Sequence, residues 1–404
     1  MNSNDTKSVP ITGAALRLPR DIWALGFVSM FMDISSELVH SLLPVFMVSV
    51  LGTSVLAVGM VEGIAEASAS ISRMFSGALS DYFGRRKLLV LLGYALSAAT
   101  KPVFPMASSI AWVAGARFMD RVGKGIRGAP RDALMADITP THLRGAAYGL
   151  RQALDTIGAV LGPSLAVVFM AFLHDIKAVL WVAVIPALIA VILLAIAVKE
   201  PERSVDSVER EPLRLRDAAK LGMGFWLIVV LGAILALARF SEAFLVLRAL
   251  DAGMSIAYVP VVMIVMNVAY AAGAYPAGSA SDKLSPRALL LFGLAALILA
   301  DLVLAIASSR GAVLVGAALW GLHMAFTQGL FLKLVADTVP AELRGSAFGA
   351  FNLVTGISVL LASTIAGTLW TSIGPSATFL TGGAFAVAAA IGVAAYREPK
   401  SVSI

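Results

Sequence analysis

Ionisable side chains recur at helical spacing inside runs that are otherwise apolar. Asp33, Glu37 and His40 stand at i, i+4 and i+7, which puts them on one helical face. Glu62 and Glu66 repeat the i, i+4 step. A carboxylate removed from water holds a proton more readily and can surrender it to an approaching cation. These residues can therefore form a proton relay along a polar wall, or a static ion-pair network that locks helices together. A second face is basic: Arg117, Arg121, Lys124, Arg127 and Arg131 follow helical spacing, interrupted by Asp120 and Asp132. Arg121, Lys124 and nearby Arg151 can grip a carboxylate or phosphate, although Arg151 can equally satisfy Asp155 at i+4. For Arg127, Arg131 and Asp132 the other reading is an anchor in the lipid headgroups. Further on, Arg239 and Glu242 lie one turn apart, and Asn267, Tyr270, Gln328 and Lys333 are polar candidates within apolar runs.

Other chemistry is excluded. The chain has no cysteine and four scattered histidines, so thiolate metal sites and disulfides do not arise. No H-E-x-x-H or G-x-S-x-G signature falls in an apolar run, and there is no P-loop. We expect no enzyme, no cofactor and no resident metal.

The elements that must position these residues are membrane helices. Of 404 residues, 59% are hydrophobic and 14% charged, and the mean hydropathy is +0.88. Soluble chains carry about 25% charged residues. The apolar runs are long and continuous, which excludes a β-barrel. Twelve spans are expected, at 22–48, 55–78, 88–108, 110–131, 145–172, 178–198, 222–248, 256–279, 288–308, 311–335, 345–371 and 376–396. An even count puts both termini on one side. That side collects Arg85-Arg86-Lys87, Arg144, the 199–220 stretch, Lys283, Arg287, Arg344, Arg397 and Lys400; the other has Lys101, Lys177, Arg248 and Arg310. The basic side is cytoplasmic, so an inner-membrane protein with both termini in the cytoplasm is expected. The same rule explains the net charge of +6 without nucleic acid. No separate apolar leader precedes the first span, so no cleavable signal is expected.

The chain repeats itself. Ala136-Asp137-Ile138-Thr139-Pro140 and Leu143-Arg144-Gly145 lie opposite Ala336-Asp337-Thr338-Val339-Pro340 and Leu343-Arg344-Gly345, 200 positions later. Gly77-Ala78-Leu79-Ser80-Asp81 matches Gly278-Ser279-Ala280-Ser281-Asp282 at nearly the same offset. The domains expected are a first six-helix half (1–198), a linker (199–220) and a second half (221–404). Two tandem halves with a site between them are a transporter architecture.

The run Gly77…Asp81…Gly84-Arg85-Arg86-Lys87 resembles the loop 2–3 signature of the major facilitator superfamily. The second copy keeps Asp282 but has Ser285-Pro286-Arg287 in place of Gly-Arg-Arg. Arg121-Val122-Gly123-Lys124-Gly125 resembles the superfamily's helix-4 motif. Gly158…Gly162-Pro163 is similar to the motif of its antiporter branch, with Ala166 where a Gly is typical. The resemblance implies an all-α membrane fold of twelve helices and alternating access. It makes Gly77, Asp81, Gly84, Arg85, Arg86 and Asp282 a conformational switch, with Gly77 allowing close helix approach. Gly158, Gly162 and Pro163 become packing residues. It also makes Asp301 a weaker candidate, because the ninth helix is peripheral in that fold. The leading expectation is a monomeric, proton-driven exporter of a small molecule. Protons would be handled by Asp33, Glu37, Glu62, Glu66, Asp155 and Glu242. Substrate would meet His40, Arg121, Lys124, Arg151, Arg239, Asn267 and Gln328. Alternatives are exchange of an anionic metabolite and divalent-metal (nickel-type) efflux, for which carboxylate-dominated ligands are poorly suited.

Overall fold

A computed structural model describes residues 18–83, 85–200, 221–281, 284–327, 330, 334–335, 338–340 and 343–395. Gly84, Asp282, Gln328, Lys333 and the stretch 201–220 lie outside the described residues, as does the side chain of Asp81. Among the described residues every regular element is helical. The first half comprises α1 (Arg20–Val45, continued by a π-turn Phe46–Val50), α2 (Val55–Phe83), α3 (Arg86–Thr100), α4 (Val103–Met106), α5 (Ile110–Ile138), α6 (Arg144–Leu173), α7 (Ile176–Val182) and α8 (Val184–Ala197). The second comprises α9 (Met223–Ala238), α10 (Ala243–Asp251), α11 (Val261–Ser281), α12 (Pro286–Ile306), α13 (Arg310–Thr327), α14 (Arg344–Ser372) and α15 (Pro375–Ala395).

Among the described residues ten helical segments are long and apolar enough to cross a membrane. α5 is not among them, because its charges lower its hydropathy. α13 (Arg310–Thr327) is not among them either. Apolar side chains alone do not carry α5 across a bilayer; its charged face requires cover from other helices.

The halves repeat one packing plan. α1 lies against α6 and α8, α2 against α5, and α3 against α5 and α8; in the second half α9 lies against α14 and α15, α11 against α13, and α12 against α13 and α15. Between halves, α2 packs on α14 and α6 on α11. The α2–α14 contact is close: Gly59 and Gly63 abut Ser363 and Leu360, and Leu56 N–H donates to Thr371 Oγ1 at 3.3 Å.

The side bearing both chain ends differs from the opposite side. Away from the ends, Leu38–Met47 of α1 and Val58 and Val61 of α2 share one apolar cluster with Phe240, Phe244 and the rest of the second half. Toward the ends, the first half forms a cluster of its own, from Leu18 to Met32, Val90 to Ala98, Leu134 to Ala147 and Ala187 to Val198. The halves share one apolar core on the far side and have separate cores on the side of Leu18 and Ala395.

Three expectations are corrected. The seventh span is broken: α9 stops at Ala238 and α10 starts at Ala243. Irregular backbone at membrane depth is tolerated only inside protein or along a cavity. Asp81 belongs to the last turn of α2 rather than to a loop. Lys101 is not an outer-loop residue; it is fully buried.

Candidate functional site

The break in the seventh span borders a cavity of about 520 Å³ between the halves. Arg239, Phe240, Ser241 and Glu242 all face it. The first half contributes Glu37 and His40 from α1, Glu66 from α2 and Arg121 and Lys124 from α5; Asn267 comes from α11. The remaining wall from the second half is mostly apolar and includes Leu235, Trp320, Met324, Phe351 and Val359.

Behind the charged wall lies a buried network. Arg117 donates to both carboxylate oxygens of Glu62, at 3.0 and 2.8 Å. Lys101 Nζ bonds Asp120 Oδ1 and Ser36 Oγ, each at 3.0 Å. His40 joins network to cavity: its Nδ1 is 3.6 Å from Glu37 and its Nε2 is 3.8 Å from Glu62. Arg121 pairs with Glu66 at 3.0 Å. Toward the chain ends, Arg127 bonds Ser97 at 2.6 Å and covers the Tyr94 ring, while Arg131 bonds Ser29 at 2.6 Å. Ions at this depth are costly unless they are paired and hydrogen-bonded or line a cavity, and each helix of the cluster supplies partners for another.

The expected site residues separate into groups. Glu37, His40, Glu66, Arg121, Lys124, Arg239, Glu242 and Asn267 come together at the cavity. Glu62 lies one layer behind, through His40. Asp33 is not on the lining; its Cβ lies against α6 at Gly158. Arg151 Nη1 pairs with Asp155 Oδ2 at 2.8 Å, away from the lining, and leaves Arg151 Nε and Asp155 Oδ1 buried with no hydrogen-bond partner. Arg86 pairs with Asp137 at the end of α5, at 2.6 Å, and Arg85 is exposed.

The glycines separate too. A Cβ at Gly158 would stand 2.7 Å from the Met30 carbonyl, and one at Gly162 2.6 Å from that of Ile34. Both are needed for the approach of α6 to α1, and Pro163 is buried beside them. A Cβ at Gly77 would meet only Ala129, at an ordinary 3.5 Å. The close approach of α2 to α5 comes at Gly125 instead, 2.6 Å from the Ala69 carbonyl.

The sequence reading missed the partners of Arg117 and Lys101, and the place of Trp320 on the cavity wall. Trp320 carried a signal, being the one tryptophan inside an expected span rather than near an end. Among the described residues no group of three or more His, Asp or Glu side chains is placed to hold a metal.

The profile of the Major Facilitator Superfamily matches residues 25–261 and 243–403. The chain belongs to the major facilitator superfamily. An uncharacterized MFS-type transporter of Methanocaldococcus jannaschii is 32% identical over 380 residues, spanning 92% of this chain and 93% of that one. Among solved structures, the nucleoside transporter NupG superposes with a TM-score of 0.79 at 13% identity, covering 93% of this chain and 99% of that one. A D-xylose–proton symporter gives 0.72 at 17%, covering 95% and 97%. At such identities these structures speak for the fold alone. This superfamily member is a multi-pass membrane transporter and not an enzyme.

Proposed function

We propose that this transporter exports a small molecule in exchange for protons, by alternating access. The observation that carries the reading is the placement of protonatable side chains on a cavity walled by both halves, with the halves sharing one core on one side only. Glu37, Glu66 and Glu242 line that cavity, and His40 connects it to buried Glu62. Rocking of the halves about such a site exposes it to each side in turn. The loop Lys/Arg asymmetry supports an inner membrane with both chain ends in the cytoplasm, so the side with separate cores is cytoplasmic. Reporter fusions after Lys220 and Ile404 test this; a periplasmic signal from either refutes it.

The protons are assigned to Asp33 and Glu37, with Arg121 as the countercharge. Glu37 stands within the Coulomb field of Arg121, Lys124 and His40, and Asp33 within that of Lys124, Asp155 and Glu37. These groups all belong to the first half, so proton affinity switches between access states through the changing access of water to the cavity wall as the halves rock. Substrate flux in proteoliposomes, with and without a pH gradient, tests the assignment. Asp33→Asn with Glu37→Gln abolishes gradient-driven accumulation while sparing exchange without net proton movement. A double variant that responds fully to the gradient moves the protons to Glu62, Glu66, Asp155 or Glu242.

A second reading, exchange of an anionic metabolite, is favoured by one observation. Lys124 and Arg239 line the cavity without an ion-pair partner. If the wild-type protein ignores the pH gradient and exchanges anions, this reading takes the place of the first.

A further inference from the structure

We propose that the transported molecule is a zwitterion with an apolar body, of the amino-acid or short-peptide type, whose acid group sits between Lys124 and Arg239 and whose ammonium meets Glu242. The assignment rests on the transport reading of the cavity and specifies its substrate class.

The charges that remain after the cavity's own pairs are formed carry the argument. Arg121 is occupied by Glu66 at 3.0 Å, and Glu37 faces His40 at 3.6 Å. Lys124, Arg239 and Glu242 also line the cavity, yet none makes an ion pair or hydrogen bond among the described residues. Arg239 and Glu242 are close in sequence at the break of the seventh span, and Glu242 acts on Arg239 through its field rather than through a direct ion pair. Three ionic groups thus face the cavity with no direct ion pair or hydrogen bond among the described residues, held only by the longer-range field of neighbouring charges. Such groups are costly there unless something satisfies them. Two are cations from opposite halves; an anionic group between them would connect the halves through the substrate.

A lone anion balances the cavity less well than a zwitterion does. Its lining carboxylates, Glu37, Glu66 and Glu242, equal in number its lining cations, Arg121, Lys124 and Arg239. A ligand with net charge would leave the site with an uncompensated charge in a low-dielectric region. A zwitterion leaves it balanced. It also supplies what proton exchange requires, since only a cationic group competes with a proton for a carboxylate. Glu242 lies in the electrostatic field of His40, Glu37, Arg239 and Glu66, so an ammonium arriving there acts on the same carboxylates that handle protons.

The rest of the ligand is read from the opposite wall. Phe240, Trp320, Met324 and Phe351 present apolar surface. The Trp320 indole N–H is buried with no acceptor, and it can donate to an amide or carboxylate oxygen. A volume of about 520 Å³ lies within the range of about 300–1,000 Å³ for small-molecule sites, enough for an aromatic amino acid or a dipeptide.

The test uses one body with four charge states. Purified full-length protein is titrated with the dipeptide phenylalanyl-leucine, its N-acetyl derivative (anion only), its C-terminal amide (cation only) and the doubly blocked compound; phenylalanine is the smaller zwitterion. Binding is followed by calorimetry. The zwitterionic dipeptide binds at least about tenfold tighter than either singly charged form, a difference of about 1.4 kcal/mol. Lys124→Gln and Arg239→Gln each erase its advantage over the amide and leave most of that over the N-acetyl form. Glu242→Gln does the reverse. Lys124→Arg retains the wild-type order. Equal or tighter binding of the N-acetyl form, or of the amide, overturns the assignment. So does an order unchanged in all three variants, or no binding of either zwitterion. The wild-type comparison stands even if a variant fails to fold. A protein that prefers the zwitterion yet ignores a pH gradient overturns the coupling and keeps the substrate class.

Discussion

α5 and α13 occupy equivalent places in the two halves, and they hold their places by different means. Each packs on the two preceding long helices of its half, α5 on α2 and α3, α13 on α11 and α12. Two hundred positions separate Arg117, Asp120, Arg121, Lys124 and Arg127 from Ala317, Trp320, Gly321, Met324 and Thr327. In α13 the one ionisable side chain of that stretch, His323, is fully buried, and its Nδ1 is 2.9 Å from the Gly293 carbonyl. A six-helix half therefore folds with an apolar helix at this position. The charges of α5 are not required by the architecture, and their cost in the membrane has to be offset by function. The cavity reflects the same division, with a mostly charged wall from the first half facing a mostly apolar one from the second.

Removing one partner from the buried network is the strongest way to break this comparison. Arg117→Met leaves Glu62, at 1% exposure, with only His40 at 3.8 Å, and should destabilise by about 3–5 kcal/mol. Thermal unfolding in detergent measures it. Adding Glu62→Gln should recover much of the loss, since the uncompensated charge is then gone. A single variant as stable as the wild type would mean that the network is solvated and not structural.

The α1–α6 contact offers the next largest effect. Gly158 and Gly162 correspond to Ser358 and Ala362 of α14, where a Cβ is accommodated. In α6 the same methyl would stand 2.6 Å from the Ile34 carbonyl. Gly162→Ala should cost about 1–3 kcal/mol by overpacking, read as a lower unfolding temperature, whereas Ala362→Gly on the opposite half should cost less than about 1 kcal/mol. Equal effects would remove the asymmetry.

A smaller effect of opposite sign is expected at the 101/301 pair. Lys101 is paired with Asp120 at 3.0 Å. Asp301, 200 positions on, is fully buried with both carboxylate oxygens unpartnered. An unsatisfied buried group costs about 1–3 kcal/mol, so Asp301→Val should be neutral or raise the unfolding temperature. Lys101→Met, which leaves Asp120 only its longer contact with Arg117 at 3.9 Å, should lower it. Loss of stability in Asp301→Val would point to a partner for that carboxyl in another conformation.

Much of this architecture was legible in the sequence, because a bilayer reduces the problem to long apolar runs. Helix existence, the repeat and the facing of Glu37, His40 and Glu66 all follow from periodicity and offset. What was not legible depends on contacts between helices. Lys101 sits beside Pro102 at the end of an apolar run and reads as a loop base; only the approach of α5 makes it a buried partner of Asp120. The break at 239–242 has no Gly or Pro to announce it. Its trace is the pair of charges and a serine within an apolar segment, which a helix in lipid cannot easily carry unless that backbone lines a cavity.

The smallest effect on stability falls at the loop between α2 and α3, and it separates packing from switching. Lys87 Nζ donates to the Ala195 carbonyl at 3.0 Å, and Arg287 donates to that of Ala394. These bonds sit at corresponding places in the two halves, each tying the start of one helix to the end of another, where carbonyls lack helical partners. The ion pair of Arg86 with Asp137 is a further link, between the start of α3 and the end of α5. Its side chains are 24% and 40% exposed, so water and salt screen it, and such pairs are worth about 0–1 kcal/mol. Asp137→Asn should therefore leave the unfolding temperature nearly unchanged. If the link belongs to the access state seen here, its loss should shift the population of access states and alter the rate of transport at saturating substrate. Cysteine pairs placed across the halves on the side of their separate cores, in a chain with no native cysteine, report that population through cross-linking yield. A changed yield with unchanged stability assigns Asp137 to the switch. An unchanged yield with a fall in stability assigns it to packing, and the loop would then do in the first half only what Arg287 does in the second.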